Sequence, residues 1–246
     1  MFCGLGGLAM NSESGASVWE GSLATLPDIE IIPRKTALLI VDMQYLDAHP
    51  DYGMGRRAKE TGTREKFVYY FQSVNDMIPR IQNLQALCRA RGIEVIFLVI
   101  ASQVKDCRDV SLEHKRLELL APADSKEAQI LKEIAPLENE LVITKGCSGV
   151  FNGTAIDQIL RNMGLDTLIV TGVATNYCVE TAVRDAGDRG YNVILLRDAC
   201  AAVSPEDQAF AMRILDNVYC KVMTTQEVID RISSAVATAK GVLAGS

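Results

Sequence analysis

Short apolar runs recur along the chain: Thr36 to Val41 (TALLIV), Ile93 to Ile100 (IEVIFLVI), Leu141 to Thr144 (LVIT), Thr167 to Thr171 (TLIVT) and Asn192 to Leu196 (NVILL). Each is rich in β-branched residues and apolar almost throughout rather than alternating, which suits strands covered on both faces of a parallel sheet. Helical patterns lie between them. Phe67 to Arg91 carries apolar residues at helix spacing (Phe67, Phe71, Val74, Ile78, Ile81, Leu84, Leu87) and stops at Gly92. Thr154 to Met163 opens on a threonine with Asp157 three residues on, and Thr224 with Glu227 repeats that capping-box arrangement. Ser204 places a cap residue before Pro205 at the first helical position. Val179 to Arg189 reads as a further helix.

This alternation predicts an α/β fold, a three-layer α/β/α sandwich around a mainly parallel central sheet. Residues 31–246 read as one domain and residues 1–30 as a flexible N-terminal arm, because no linker rich in Pro, Gly or Ser divides the rest. Asp47 to Lys66 and Gln103 to Asp124 read as polar, irregular insertions. In open α/β sheets, insertions at the strand C-terminal ends are where ligands are held.

Composition narrows the partners. The formal charge of −6 argues against a nucleic-acid or anionic-membrane surface, each of which needs a basic face. No stretch approaches the roughly 18 consecutive apolar residues of a membrane span. Met1 to Ala16 lacks the basic start and sustained apolar run of a signal peptide, so the expected location is cytoplasmic. The 7 cysteines are odd in number and include no CxxC pair, a pattern of free thiols in a reducing compartment.

Chemistry concentrates at the strand ends. Asp42 follows the first apolar run, Lys145 the third, and Cys178 comes shortly after the fourth, so all three belong to the carboxyl edge of the sheet. Thr175 reads as an N-cap that places Cys178 in the first helical turn, where free N–H groups and the helix dipole favour a thiolate and lower the thiol pKa. A thiolate attacks carbonyls, and the same N–H groups suit the resulting oxyanion. A lysine or an aspartate ending a buried strand is costly unless paired. Together they would form an ion pair, with the carboxylate as base for the thiol. Taken singly, Cys178 also fits a small packed residue, and Asp42 and Lys145 also fit surface positions.

A Cys–His pair competes less well, because His114 lies in a charged, solvated-looking segment and His49 in a loop without an evident partner. Asp47 and His49 have an Asp-x-His spacing, but no further histidines complete a metal site. Neither a P-loop nor a GxGxxG opens a helix, so no cofactor is expected.

The segments ALLIVDMQ (Ala37 to Gln44), ITKGCSGVFNGT (Ile143 to Thr154) and VTGVATNYCVETAVRDAGDRGYNVILLRDAC (Val170 to Cys200) together resemble the isochorismatase-like cysteine hydrolases over roughly Thr36 to Ile232. The resemblance implies a catalytic triad at Asp42, Lys145 and Cys178. It also implies a cis peptide at Val173-Ala174 and oxyanion donors at the N–H groups of Ala174 and Cys178. Nicotinamidases of the family carry a histidine-rich zinc site, which Ala101 to Asp106 does not supply. True isochorismate hydrolases typically lack the cysteine, so its presence favours amide chemistry. Arg108 to Lys115 with Ser148 to Asn152 looks like the biuret-hydrolase and ureido-amidohydrolase branch, implying a small linear urea-type substrate that loses ammonia. Tyr45, Phe151 and Tyr177 are the candidate pocket walls, and a homo-oligomer (dimer or tetramer) is expected by resemblance. Two alternatives stay open: an amidase for another amide such as nicotinamide or a carbamoyl amino acid, and a non-catalytic small-molecule binding protein.

Overall fold

Strands buried on both faces need a helical layer on each side, and the computed structural model, which describes residues 25–243, shows that arrangement. The chain runs β1 (Thr36–Val41), α1 (Tyr45–Ala48), α2 (Gly53–Glu60), α3 (Val68–Arg91), β2 (Glu94–Ile100), α4 (Leu112–Leu117) and β3 (Leu141–Lys145). It continues with α5 (Val150–Gly153), α6 (Ile156–Asn162), β4 (Thr167–Val173), α7 (Glu180–Asp188), β5 (Asn192–Ala201), α8 (Pro205–Leu215), β6 (Lys221–Met223) and α9 (Thr225–Leu243). The strands form one sheet in the order β3-β2-β1-β4-β5-β6, with every pairing parallel. Strand β1 explains why its run carries no polar alternation. Leu38 and Ile40 pack with Val74, Met77, Ile81 and Leu84 of α3. Ala37, Leu39 and Val41 join the opposite core with Leu160, Val179 and Val183. Side chains alternate faces, and both faces are core.

The local signals are mostly realised. Helix α3 ends at Gly92, whose φ of 68° is left-handed, and the Ile93 N–H closes the turn on the Cys88 carbonyl at 3.0 Å. Glu227 accepts from the Thr224 N–H at 2.6 Å while Thr224 Oγ1 accepts from the Glu227 N–H at 3.2 Å, a complete capping box. Ser204 Oγ accepts from the Asp207 N–H at 3.1 Å. The Thr154 box does not form. Thr154 ends α5 instead, donating to the Val150 carbonyl at 2.8 Å, and Asp157 accepts from the Tyr191 hydroxyl at 2.9 Å.

Other expectations change. The two polar insertions are not irregular throughout; they hold α2 and α4. The edge strand β6 is too short to have shown as an apolar run. The arm expected over residues 1–30 lies outside the described residues up to 24. Within the described part, Ile29 is buried and Arg231 Nη1 donates to Asp28 Oδ1 at 2.7 Å, so packing begins before residue 31. Among the described residues no helix is long and apolar enough to cross a membrane.

The strand order reverses between β1 and β4, and a crevice opens there beyond the strand carboxyl ends. The two strands are pressed together at that point. A Cβ on Gly172 would lie 2.0 Å from the Val41 carbonyl oxygen, and the φ of 121° also disfavours any other residue.

Candidate active site

Asp42 leaves β1 with a left-handed φ of 48°, and its N–H donates to the Leu98 carbonyl at 2.9 Å. Gln44 fixes the segment that follows. Its side-chain amide donates to the carbonyls of Ile100 (2.8 Å) and Glu127 (2.9 Å), and its oxygen accepts from the Ile100 N–H (2.7 Å). Lys145 ends β3, two strands away from β1, a separation of about 10 Å at normal strand spacing. Only a long side chain crosses that gap. The Lys145 ammonium donates to Asp42 Oδ2 at 2.8 Å and to the Cys147 carbonyl at 3.2 Å, and the side chains of the pair are 0% and 1% exposed. Burial works against the ammonium. Asp42, Cys178 and Asp47 together outweigh that effect and hold the lysine above its ordinary range.

Cys178 sits in a π turn, Thr175–Val179, between β4 and α7, preceded by a cis Val173-Ala174 peptide bond. The Ala174 carbonyl accepts from the N–H groups of Tyr177 (3.0 Å) and Val179 (3.3 Å). Those two donors are thereby occupied, and neither bond engages the N–H of Ala174 or Cys178. Thr175 is not the cap; its hydroxyl donates to Gln208 Oε1 at 2.7 Å. The expected lowering of the Cys178 pKa is reversed. Burial and then the neighbouring Asp42 carboxylate push the thiol well up, with Lys145 opposing them. A second negative charge beside Asp42 in a dry site is costlier than the turn's N–H groups can offset, so the resting thiol is neutral.

Asp42 and Cys178 line a cavity of about 660 Å³, and Lys145 reaches it through its bond to Asp42. Of the expected walls, Tyr177 lines this cavity, but Tyr45 and Phe151 do not. Tyr45 stacks on His49 and meets Tyr52 edge-on, with the Lys126 ammonium over its ring, and Phe151 packs against Tyr191 within the core. Each is drawn to neighbouring aromatic surface instead. His114 also departs from expectation. It is 4% exposed and lines the cavity, its Nδ1 within 2.8 Å of Ser111 Oγ, because α4 turns this one residue inward while Lys115 and Arg116 stay exposed. Burial lowers its pKa. His49 lies outside the lining, with its Nδ1 accepting from the Asp51 N–H at 3.1 Å.

Sequence reasoning missed several lining residues: Tyr70 from α3, Arg57 from α2, and Glu113 and Arg116 from α4. Tyr70 was legible in principle, since it continues the apolar spacing of α3 through Val74 and Met77. Asp47, which sequence reading considered only as half of a metal spacing, also lines the cavity. Among the described residues no group of three or more His, Cys, Asp or Glu is arranged to hold a metal ion.

Known proteins share this arrangement of strands and sequence. A family model described as the Isochorismatase domain matches residues 36–227. N-carbamoylsarcosine amidase from an Arthrobacter species is 30% identical over 163 residues, 64% of this chain and 62% of that protein, so the chain spans less than two thirds of its length. Ureidoacrylate amidohydrolase RutB from Pantoea ananatis is 31% identical over 206 residues, covering 76% of this chain and 78% of that enzyme. A cysteine hydrolase structure from Pseudomonas syringae pv. phaseolicola superposes with a TM-score of 0.74 at 30% identity, covering 87% of this chain and 99% of the other. The likeness spans the sheet, both helical layers and the strand ends that carry Asp42, Lys145 and Cys178: the chain belongs to the isochorismatase family of hydrolases.

Proposed function

We propose that this protein is a cysteine-dependent amidohydrolase that cleaves a C–N bond of a small, linear urea- or amide-type substrate and releases ammonia. The observation that carries this reading is the buried Asp42–Lys145 pair set beside the only thiol that lines the cavity among the described residues. In this mechanism Asp42 takes the thiol proton as Cys178 Sγ attacks the substrate carbonyl carbon. The carbonyl electrons move to oxygen, which the N–H groups of Ala174 and Cys178 receive. Collapse of that intermediate breaks the C–N bond, and Asp42 returns the proton to the departing nitrogen. Water then attacks the thioester, giving Asp42 a proton that passes back to the sulfur as the acid product leaves.

The thiol's ionisable neighbours support Asp42 as base over His114. Asp42 is the carboxylate that hydrogen-bonds the Cys178 thiol, with Lys145 and Asp47 close by. A carbamoyl amino acid or other ureido acid is favoured as a second reading by Arg116. It lies exposed at the cavity mouth, has no ion pair among the described residues, and suits a substrate carboxylate.

Ammonia release from biuret, a ureido acid, nicotinamide and a carbamoyl amino acid tests the substrate class. Cys178→Ala and Cys178→Ser test the mechanism, with an expected loss of at least about a thousandfold in kcat at unchanged fold. Full activity in either variant overturns the nucleophile assignment.

A further inference from the structure

Asp47 is a carboxyl group for which the mechanism above has no use. Its backbone is held on several sides. The flanking residues Tyr45 and Leu46 donate N–H bonds to the carbonyls of Gln129 (2.9 Å) and Glu127 (3.0 Å), and the buried Tyr70 hydroxyl donates to the Asp47 carbonyl at 3.0 Å. Asp47 also lines the cavity, and its Oδ2 is buried without a hydrogen-bond partner. A buried polar atom without a partner is costly to the fold. A rigidly mounted one at a cavity wall is a group prepared for a ligand.

We propose that Asp47 is a positioning residue that reads a second, non-reacting N–C=O unit of the substrate, its carboxyl group in the neutral form giving one hydrogen bond and taking another. The inference rests on the amidohydrolase reading, and narrows it to substrates in which two N–C=O units are neighbours, as in biuret. The neutral form follows from the surrounding charges. Lys145 is the cation acting on Asp47 and is itself bonded to Asp42, while Asp42 and Glu113 both add negative potential there. Arg57 and His114 line the same cavity, but Arg57 is paired with Glu118. Two carboxyl groups beside one ammonium cannot both ionise cheaply, and the one without the lysine bond keeps its proton. Consistent with this, burial and then Asp42 raise the Asp47 pKa well above the usual carboxylate range. A carboxylic acid and a cis amide or urea edge present complementary donor and acceptor pairs. The reacting carbonyl meanwhile belongs to the N–H groups of Ala174 and Cys178, so Asp47 is left to the other unit.

The test uses the full chain carrying Cys178→Ala, so that binding is read without turnover, with biuret as the probe in titration calorimetry. Added Asp47→Ala is expected to weaken biuret at least tenfold. Added Asp47→Asn keeps a donor and an acceptor, and is expected to stay within about threefold. With Asp47 present, affinity falls as pH rises through its pKa; with Asn it stays flat, a difference that a structural role alone would not produce. Thermal midpoints identify any variant that fails to fold, and the Asn variant keeps the question open to refutation in that case. Biuret that does not bind, an Asn variant as weak as Ala, or a pH dependence that survives Asp47→Asn each overturns the proposal. Turnover by the Cys178→Ala protein would instead overturn the nucleophile assignment and leave the Asp47 comparison readable.

Discussion

Lys145→Met would expose the electrostatics on which the site depends. Methionine nearly matches lysine in length and carries no charge, so Asp42 is left buried beside Asp47 without its ammonium. Removing one partner of a buried pair costs about 3–5 kcal/mol. The cost has a ceiling, because the abandoned carboxyl can take up a proton. For an aspartate that titrates near ~3.9 in the unfolded chain, this costs about 1.4 kcal/mol per pH unit above that value. The ceiling is therefore about 4 kcal/mol at pH 7 and about 1.5 kcal/mol at pH 5.

The sign follows from linkage. In the variant the folded-state carboxyl titrates above its unfolded counterpart, so its stability is complete at low pH and is lost as pH rises. The wild-type lysine contributes nothing to the slope here, since its folded pKa is raised above an ordinary value already far above pH 7. Urea denaturation followed by circular dichroism at pH 5, 6 and 7 should show the gap between variant and wild type widening by about 2.5 kcal/mol across that window. Asp42→Asn combined with Lys145→Met removes the carboxyl, and its gap should stay level. A Lys145→Met gap that is the same at pH 5 and pH 7 would refute the reasoning, because Asp42 would then be holding its charge without the lysine.

Two further outcomes follow from the same geometry. Iodoacetamide should modify Cys178 slowly near neutral pH and about tenfold faster per added pH unit, with no plateau below pH 9, because burial and Asp42 keep its thiol protonated. Cys88, whose pKa burial pushes up to about 12, should stay unmodified in the native protein; peptide mass spectrometry distinguishes the sites, and rapid saturation of Cys178 at pH 7 would contradict the neutral resting thiol. Gln44→Leu strands the Ile100 N–H and the carbonyls of Ile100 and Glu127, which should cost about 3 kcal/mol or more in urea unfolding, and a loss below about 1 kcal/mol would show that water replaces the clamp.

Much of the sheet was readable because burial on both faces leaves an unbroken apolar run, as β1 shows from Thr36 to Val41. Asp42 was readable for the same reason, since a charge at the end of such a run needs a partner, whereas Lys145 ends an edge strand whose Leu141, Val142 and Thr144 are exposed. The walls were not, because each is decided by three-dimensional company rather than by residue type. Tyr45 looks like a pocket aromatic, yet His49, Tyr52 and Lys126 surround it. His114 sits in a run of charges that suggests solvent, yet Ser111 caps α4 and turns the imidazole inward. The helix-start argument for Cys178 identified the right turn and the wrong direction of shift. A local dipole is visible in sequence, whereas the carboxylate that overrides it comes from a strand more than a hundred residues earlier.

That carboxylate also reconciles a neutral thiol with a nucleophilic one. In the proposed reaction the site holds one negative charge beside one ammonium from beginning to end. It rests on Asp42, passes to sulfur as the proton crosses, moves to the carbonyl oxygen on attack, and returns as the nitrogen departs. No step has to create a second anion in a site where Asp42 and Lys145 are both out of contact with water. A thiol already ionised at rest would violate that balance, since sulfur and carboxylate would compete for a single lysine. The same accounting governs what can enter. In that proposed reaction Asp42 and Glu113 disfavour an anion beside the thiol, while Arg116, without an ion pair among the described residues, suits one further out, so the proposed reacting end is uncharged. In the proposed reaction, selectivity for neutral C–N groups and the high thiol pKa are then two consequences of one fixed charge pair.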